Sequence, residues 1–200
     1  LLRDLLDKAS ELGLRTLTLS EACGGVGADT MTSCIVFEEL AAGDVDIAMA
    51  LGQTSLLSGL LFDNWMDSDQ RDLFLPSFIE EETSHLSYTG QMPEKYDSWC
   101  YHGNLHEEPN AGPTVVKEGN DWVIDGLVPY VANAPIAEVF IVMAEAGLNE
   151  SGTDGTKLLL VPRNTPGFVI NDANKAVEES NVNWRHGCGA GVEFNSCKVP

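Results

Sequence analysis

The chain has 200 residues, of which 44% are hydrophobic and 21% are charged, a composition typical of one substantial globular domain or two small ones. Its 11 basic and 31 acidic residues give a formal net charge of −20. A surface this acidic repels phosphate backbones and anionic lipid headgroups, so neither nucleic acid nor a membrane surface is an expected partner.

The longest uncharged stretch runs from Ile47 to Phe62. It contains several glycine, serine and threonine residues, and we expect it to be too short and too polar to span a bilayer. A buried helix is the predicted alternative. The first residues carry acidic side chains inside a helical pattern and lack a small-residue cleavage site, so no signal peptide is expected.

The five cysteines form an odd set without a CxxC pair. A chain of this length does not need disulfides to be stable. We therefore expect a reducing, intracellular compartment, the cytoplasm, or the mitochondrial matrix if the source is eukaryotic. Cys23 and Cys197 have no nearby histidine and acid that would indicate a nucleophile, so both are predicted to be buried thiols.

Helical periodicity covers roughly the first 85 residues. An amphipathic helix is predicted at the start, and Asp29 is placed to cap a second helix that ends at Gly43. A third helix covers about 45–62, and Ser68 is predicted to cap a fourth. The inward faces are predicted from apolar spacing, with Leu2, Leu5, Leu6, Ala9 and Leu12 in the first helix, Met31, Ile35 and 37–40 in the second, and Leu73, Phe74, Phe78 and Ile79 in the fourth.

After His85 the apolar period changes to two, which indicates strands. A turn around Gly119 and Asn120 predicts a hairpin. Helices followed by strands indicate an α+β chain, with an N-terminal helical domain at 1–85 and a β-barrel or sandwich middle domain at 86–200. The predicted strands are 85–89, 114–117, 122–125, 137–144, 157–161, 167–170 and 191–196.

Several segments in a fixed order carry a family resemblance. They are LGLRTLTLSEACGGVGAD with a helix ending in FEELA, DSDQRDLFLPSFIEEE leading into LSYT, DWVIDGLVPYVANAPIAEVFIVMA, LLLVPRNTPGF and NWRHGCGAGVEFNSCKVP. Together they resemble the N-terminal helical and middle β domains of the acyl-CoA dehydrogenases. The family's first helix would precede Leu1, and its C-terminal helical bundle would follow Pro200.

The resemblance implies an FAD enzyme that removes hydrogen from the α and β carbons of an acyl-CoA thioester. In that family a glutamate takes the α-proton while the β-hydrogen leaves as hydride to the flavin. This glutamate lies in the C-terminal bundle, so no catalytic base is assigned here. The resemblance also implies a homo-oligomer (dimer or tetramer), or a hetero-oligomer with a related subunit, together with an electron-transfer partner protein.

Two places in the chain correspond to the family's flavin contacts. Thr89 occupies the threonine position whose hydroxyl meets the pyrimidine edge of the flavin. Tyr130 keeps the aromatic ring that packs on the flavin, whereas Ala132 has lost the hydroxyl usual near N5. A longer segment replaces the short pyrophosphate-binding loop, and Ser98 is only a candidate for its serine. The implied cofactor-binding residues are Leu86, Ser87, Tyr88, Thr89, Tyr130, Val131, Ala132 and Ser98.

These departures leave two readings open. One lost hydrogen bond costs on the order of 1 kcal/mol and does not abolish binding. Replacing a phosphate-facing loop is more serious, because several backbone N–H groups act together there. FAD is therefore bound through a different loop geometry, or it is bound poorly. Two alternative functions follow: a non-catalytic or half-site partner subunit, and a flavin monooxygenase or oxidase on the same fold.

Other candidate constellations have simpler explanations. A possible zinc-ligand set in the longer segment matches no recognised spacing, so a solvated loop is favoured and no metal is expected. His85 and His186 are predicted to be strand-edge or turn residues, 187–191 a tight turn, and the four tryptophans part of the core. The ligand set consists of Cys100, His102, His106, Glu107 and Glu108.

Overall fold

The computed structural model describes residues 3–89, 112–146, 155–171 and 188–200. The chain divides into two compact units. The helical unit contains the chain up to Ser87, together with 136–138 and Cys188. The strand unit contains the other described residues, from Tyr88 onward. The domain boundary placed at 85–86 lies close to this division, and the domain assignment itself stays a prediction.

The helical unit has four α-helices in the part of the chain that is described, as predicted. A π-helical segment, Gly59–Trp65, continues the third without a break. The helices are α1 (Arg3–Glu11), α2 (Thr30–Gly43), α3 (Val45–Ser58) and α4 (Ser68–Glu80).

Aspartates cap the N-termini of α2, α3 and α4. The predicted cap of α2 is confirmed, because the Thr32 N–H donates to Asp29 Oδ1 at 2.7 Å. The predicted cap of α4 is wrong by one residue. Asp67 Oδ1 accepts from the Gln70 N–H at 2.8 Å and the Asp67 N–H donates back to Gln70 Oε1 at 3.3 Å. This reciprocal capping box satisfies two backbone groups at once, so the helix begins at Ser68.

The predicted inward faces are only partly correct. In α4 the buried residue is Phe78, whose ring packs 5.0 Å from that of Phe62, whereas Leu73 is 71% exposed. In α1, Leu5 and Leu12 are exposed. In α2, Met31 and Ile35 are exposed too. One cluster of buried hydrophobic residues in the helical unit consists of Leu6, Ala9, Ile47, Ala50, Leu51 and Ile136.

The third helix is longer than predicted. With its π-helical continuation it spans Val45–Trp65, 21 residues, which by length and composition is enough to cross a membrane. The expectation that this stretch is too short is therefore wrong. However, 56% of its apolar window is buried inside the protein, as the predicted buried helix requires. Trp65 at its end is 46% exposed, so it is not the core residue that was expected.

Within the described ranges the strands form one seven-stranded sheet with the order β1-β4-β2-β3-β7-β6, and β5 pairs with β4. The α+β class is confirmed, and the described strands do not close into a barrel. β2 and β3 form the predicted hairpin, with Gly119 in the turn at φ 65°. The strands are β1 (His85–Thr89), β2 (Thr114–Glu118), β3 (Asp121–Ala132), β4 (Ala137–Ala146), β5 (Gly155–Pro162), β6 (Phe168–Ile170) and β7 (Gly189–Val199).

Three phenylalanines mark the core of the strand unit. The Phe168 ring lies 4.5 Å from that of Phe140 and 5.1 Å from that of Phe194, measured between centroids. The central antiparallel pair is β3 with β7. Because β7 already begins at Gly189, residues 189–191 belong to a strand, and the tight turn predicted there is wrong.

Candidate functional site

The first half of β1 is held by α3 within the helical unit. Leu86 and Ser87 are fully buried. The Leu86 N–H donates to Thr54 Oγ1 at 3.4 Å, and His85 Nδ1 lies 3.1 Å from the same oxygen. One hydroxyl on a core helix therefore fixes the start of the strand that carries the predicted site residues.

His85 is buried and neutral. It is the first residue of β1, an edge strand in the sheet order, which agrees with the expected strand-edge position, and its side chain is fully buried. Burial is the main cause that lowers its pKa, with the positive charges of Arg15 and Arg3 adding to the effect, and the pKa falls to about 3. An imidazole with that pKa is not a general acid near neutral pH.

The second half of β1 belongs to the strand unit. Tyr88 is 36% exposed, and its hydroxyl donates to Met143 Sδ at 3.4 Å. Thr89 is 2% exposed, and its Oγ1 has no hydrogen-bond partner among the described residues. A buried hydroxyl without a partner costs about 1–3 kcal/mol. Such a group is expected to meet a polar group of a ligand or water.

The end of β3 carries the second set of predicted residues. Val131 pairs with Ala190, and Ala132 pairs with Gly189. The register shifts between Val128 and Val131, where a proline at 129 removes one backbone donor. A β-bulge of this kind re-aims the side chains that lie within it. Tyr130 lies in the bulge.

The ring of Tyr130 lies over the backbone of Gly189. A Cβ built on Gly189 would come within 2.6 Å of Tyr130 Oη and closer still to two ring carbons. The ring therefore occupies the space that a side chain at position 189 would need. Tyr130 and Ala132 are partly buried, and Val131 is fully buried.

The predicted residues that are described lie on two strands, β1 and β3. In the hydrogen-bonded order, β4 and β2 lie between β1 and β3. Leu86 and Ser87 belong to the helical unit, whereas Tyr88 and Thr89 belong to the strand unit. The candidates Ser98, Cys100, His102, His106, Glu107, Glu108 and His186 lie outside the described residues.

Two residues at this site were not singled out from the sequence. Thr54 reaches β1 across 31 residues of chain, and nothing in its sequence neighbourhood indicates that contact. Gly189 was assigned to a turn. A glycine opposite the end of an aromatic-bearing strand is a usable signal, but only once the strand pairing is known.

Metal and thiol chemistry find no support in the described ranges. Within them, no group of three or more His, Cys, Asp or Glu side chains could hold a metal ion. Cys23 and Cys197 are buried, as predicted. Burial, with a contribution from Asp125, raises the pKa of the Cys197 thiol to about 11, so that thiol is protonated near neutral pH.

The residues present fit a flavin at two points. The Thr89 hydroxyl is buried without a partner and can donate to or accept from the heteroatoms of a pyrimidine edge. The partly exposed Tyr130 ring offers an aromatic face. Ala132 offers no hydroxyl, so the third contact that the resemblance implies is missing.

Comparison with known proteins gives a consistent result. Residues 1–82 match the family model described as acyl-CoA dehydrogenase, N-terminal domain. Mitochondrial isobutyryl-CoA dehydrogenase of Dictyostelium discoideum is 26% identical over 200 residues, covering 99% of this chain and 44% of that protein. Mitochondrial isovaleryl-CoA dehydrogenase of Pongo abelii is 26% identical over 208 residues, covering 100% of this chain and 44% of that protein.

Solved structures share the fold. The crystal structure of a glutaryl-CoA dehydrogenase from Mycobacterium smegmatis in complex with FADH2 superposes with a TM-score of 0.75 at 20% sequence identity. The match covers 100% of this chain and 46% of that one. The chain thus spans less than half the length of each of these three proteins.

Proposed function

We propose that this chain is part of an FAD-dependent oxidoreductase. The proposal is supported by its similarity to the acyl-CoA dehydrogenases, which extends over nearly the whole chain, as its motifs predicted. The proposed reaction is the α,β-dehydrogenation of an acyl-CoA thioester. The described residues correspond to the part of the enzyme that binds the flavin, and the chemistry is completed by groups outside them.

The observation that carries this proposal is the Thr89 hydroxyl. It is 2% exposed and has no partner among the described residues, and it occupies the position that the resemblance assigns to a flavin contact. Folding leaves a buried hydroxyl unpaired only at a cost. Binding a heteroaromatic edge at this point recovers the cost.

Tyr130 and the residues that follow it are proposed to form the second flavin contact. The partly exposed ring is proposed to pack on the flavin, and Val131, the next residue of β3, is buried and anchors the strand end. FAD, when bound, supplies the hydride acceptor. The protein's part is to hold the substrate carbons and the cofactor in register and to keep water out.

No described residue is proposed as the catalytic base. His85 is the obvious titratable candidate near the site strand, but it is fully buried and its pKa lies at about 3. A base must be within hydrogen-bond reach of the substrate and have a pKa near the working pH. The base is therefore proposed to come from another part of the full-length protein.

The proposed substrate and partners are inferred from the relatives that the chain resembles. The relatives are named for acyl-CoA substrates, which supports a CoA thioester as the substrate class. The proposed partners are an electron-transfer protein and further subunits, either identical or related, in the cytoplasm or the mitochondrial matrix. CoA is polyanionic, and with 11 basic residues in 200 its phosphates must meet a locally positive patch.

One observation favours a second candidate, a half-site or non-catalytic partner subunit. Ala132 lacks the hydroxyl that the resemblance implies near the reactive flavin atom. Such a subunit would keep the fold and would purify with a flavin-bearing relative.

The test begins with the purified full-length protein. We expect flavin absorption that bleaches when an acyl-CoA is added without oxygen. Thr89→Val should weaken FAD binding by about 5- to 150-fold, the range for one buried hydrogen bond of about 1–3 kcal/mol. Thr156→Val, at an exposed strand position, is the matched control and should leave binding unchanged.

Three results would argue against the proposal. A colourless full-length protein that takes up no FAD would contradict it. Co-purification with a flavin-bearing relative, without turnover by the isolated protein, would favour the partner subunit. Bleaching only by a separate reductase, not by acyl-CoA, would favour a monooxygenase or oxidase.

A further inference from the structure

Gly189, the first residue of β7, has a bare Cα beneath the Tyr130 ring. A Cβ at position 189 would come within 2.6 Å of Tyr130 Oη and would overlap two carbons of the ring. No substituent fits between the strand and the ring. The ring is in contact with the backbone of the neighbouring strand.

The need for glycine here is one of space, not of backbone conformation. Gly189 does not have a positive φ, so its backbone conformation is one that any residue adopts. Elsewhere in the same unit, Gly126 and Gly167 have φ values of 142° and 86°, which favour glycine for conformational reasons. At Gly189 the absence of a side chain leaves the space that the Tyr130 ring occupies.

The obstacle at position 189 is movable. The atoms that a Cβ would meet are the far end of the Tyr130 side chain, namely Cζ, Cε2 and Oη. A tyrosine ring swings by rotation about χ1 and χ2, whereas a backbone carbonyl cannot move without its strand. A side chain at 189 is therefore expected to displace the ring and leave the strand pair intact.

The strand pairing fixes this arrangement. Ala132 pairs directly with Gly189, and Tyr130 lies two residues earlier, in the bulge where the register shifts. Diagonal neighbours across an antiparallel pair are within reach of an aromatic side chain. The bulge and the bare Cα together determine where the phenol lies.

We propose that Gly189 is a positioning residue of the flavin site, because its bare Cα seats the Tyr130 ring and so sets the aromatic face that the flavin meets. This inference rests on the proposed function. An aromatic ring displaced from its stacking position loses an interaction worth a factor of about 2 to 10 in affinity. Any side chain at position 189 should therefore weaken flavin binding through Tyr130, without touching the flavin itself.

The experiment is a double-mutant cycle in the full-length protein, with Gly189→Ala, Tyr130→Leu and the double variant. Gly43→Ala is the control, because a Cβ at Gly43 meets nothing within 4 Å. The readouts are the dissociation constant for FAD and the fluorescence of the bound flavin, which a stacked phenol quenches. Circular dichroism and urea unfolding of the flavin-free variants check that each still folds.

We expect Gly189→Ala to weaken FAD binding by about 2- to 10-fold and to increase the fluorescence of the bound flavin. In the Tyr130→Leu background it should have no further effect, since the ring that it displaces is gone. Equal effects of Gly189→Ala in both backgrounds would overturn the inference, and so would a Gly189→Ala variant that matches Gly43→Ala.

The outcomes separate this inference from the proposed function. A wild-type protein that binds no FAD overturns both. A wild-type protein that binds FAD normally, with coupling between positions 130 and 189 seen only in the stability of the flavin-free protein, leaves the proposed function standing. In that case Gly189 has a packing role only and the positioning role is refuted.

Discussion

Acid should destabilise the helical unit in part through His85. Its imidazole is fully buried, and its pKa is lowered from 6.5 to about 3, mainly by burial. The unfolded chain takes up a proton near pH 6.5, whereas the folded protein does so only near pH 3. The contribution of His85 to the free energy of unfolding is therefore fully present above pH 6.5, and it is lost as the pH drops from 6.5 toward 3.

The size of the effect follows from the pKa difference. Each pH unit between the two pKa values costs about 1.4 kcal/mol. From pH 6.5 to pH 4.5 the loss is therefore about 2.7 kcal/mol. That is a large part of the stability of a typical domain.

The assay compares urea unfolding of the wild type with that of His85→Asn between pH 7.5 and pH 4.5. The amide of asparagine can keep a hydrogen bond to Thr54 Oγ1, which lies 3.1 Å from His85 Nδ1. The other titrating groups are the same in both proteins, so their effects cancel. We expect the variant to be less stable at pH 7.5 and the gap to shrink by about 2.7 kcal/mol at pH 4.5.

Two results would refute this reasoning. A stability gap that does not change with pH would mean that His85 has the same pKa folded and unfolded. A histidine NMR titration that places the pKa of folded His85 near 6.5 would say the same directly.

Three further substitutions test the packing and hydrogen bonds by urea unfolding at pH 7.5. Gly25→Ala should cost more than about 2 kcal/mol, because its Cβ would overlap the backbone carbonyl of Leu19. Gly43→Ala should be neutral or slightly stabilising, and equal effects of the two substitutions would contradict the close approach of Leu19 to Gly25. Asp67→Ala should cost about 1 kcal/mol through loss of the capping box, and no loss would mean that the box is not formed in solution. Thr54→Val should cost about 1–3 kcal/mol by removing the hydroxyl that contacts the Leu86 N–H and His85 Nδ1. Thr54→Ser should cost less, and the reverse order would contradict the role of the hydroxyl.

Element types and their order could be predicted from the sequence, because apolar periodicity is a local property. The β2–β3 hairpin and the Asp29 cap depend on residues a few positions apart, and both are confirmed. The full extent of β3 was not predictable. It was expected at 122–125 and runs over Asp121–Ala132, because bulges and a positive φ at Gly126 accommodate residues that normally end strands.

Burial was less predictable than periodicity. An apolar spacing shows which helix face can be buried but not whether a partner covers it. Leu73 follows the predicted stripe of α4 and is 71% exposed, whereas Phe78 on the same helix is 3% exposed. The difference lies in tertiary contacts, here the Phe62 ring and the Arg15 guanidinium, which lies 4.3 Å from the Phe78 ring centroid.

The candidate site shows the same limit. Motif position selected Thr89 and Tyr130, but the features that argue for function are tertiary. The unpaired state of the Thr89 hydroxyl depends on everything packed around it. The bare backbone under the Tyr130 ring depends on the β3–β7 register.

The central claim is that Thr89 contacts a flavin, and titration of the full-length protein with FAD tests it most directly. The account predicts that the wild type binds FAD stoichiometrically and that Thr89→Val binds it about 5- to 150-fold more weakly, while Thr156→Val binds it like the wild type. Equal affinity of the wild type and Thr89→Val, or no FAD binding by the wild type, would contradict the account.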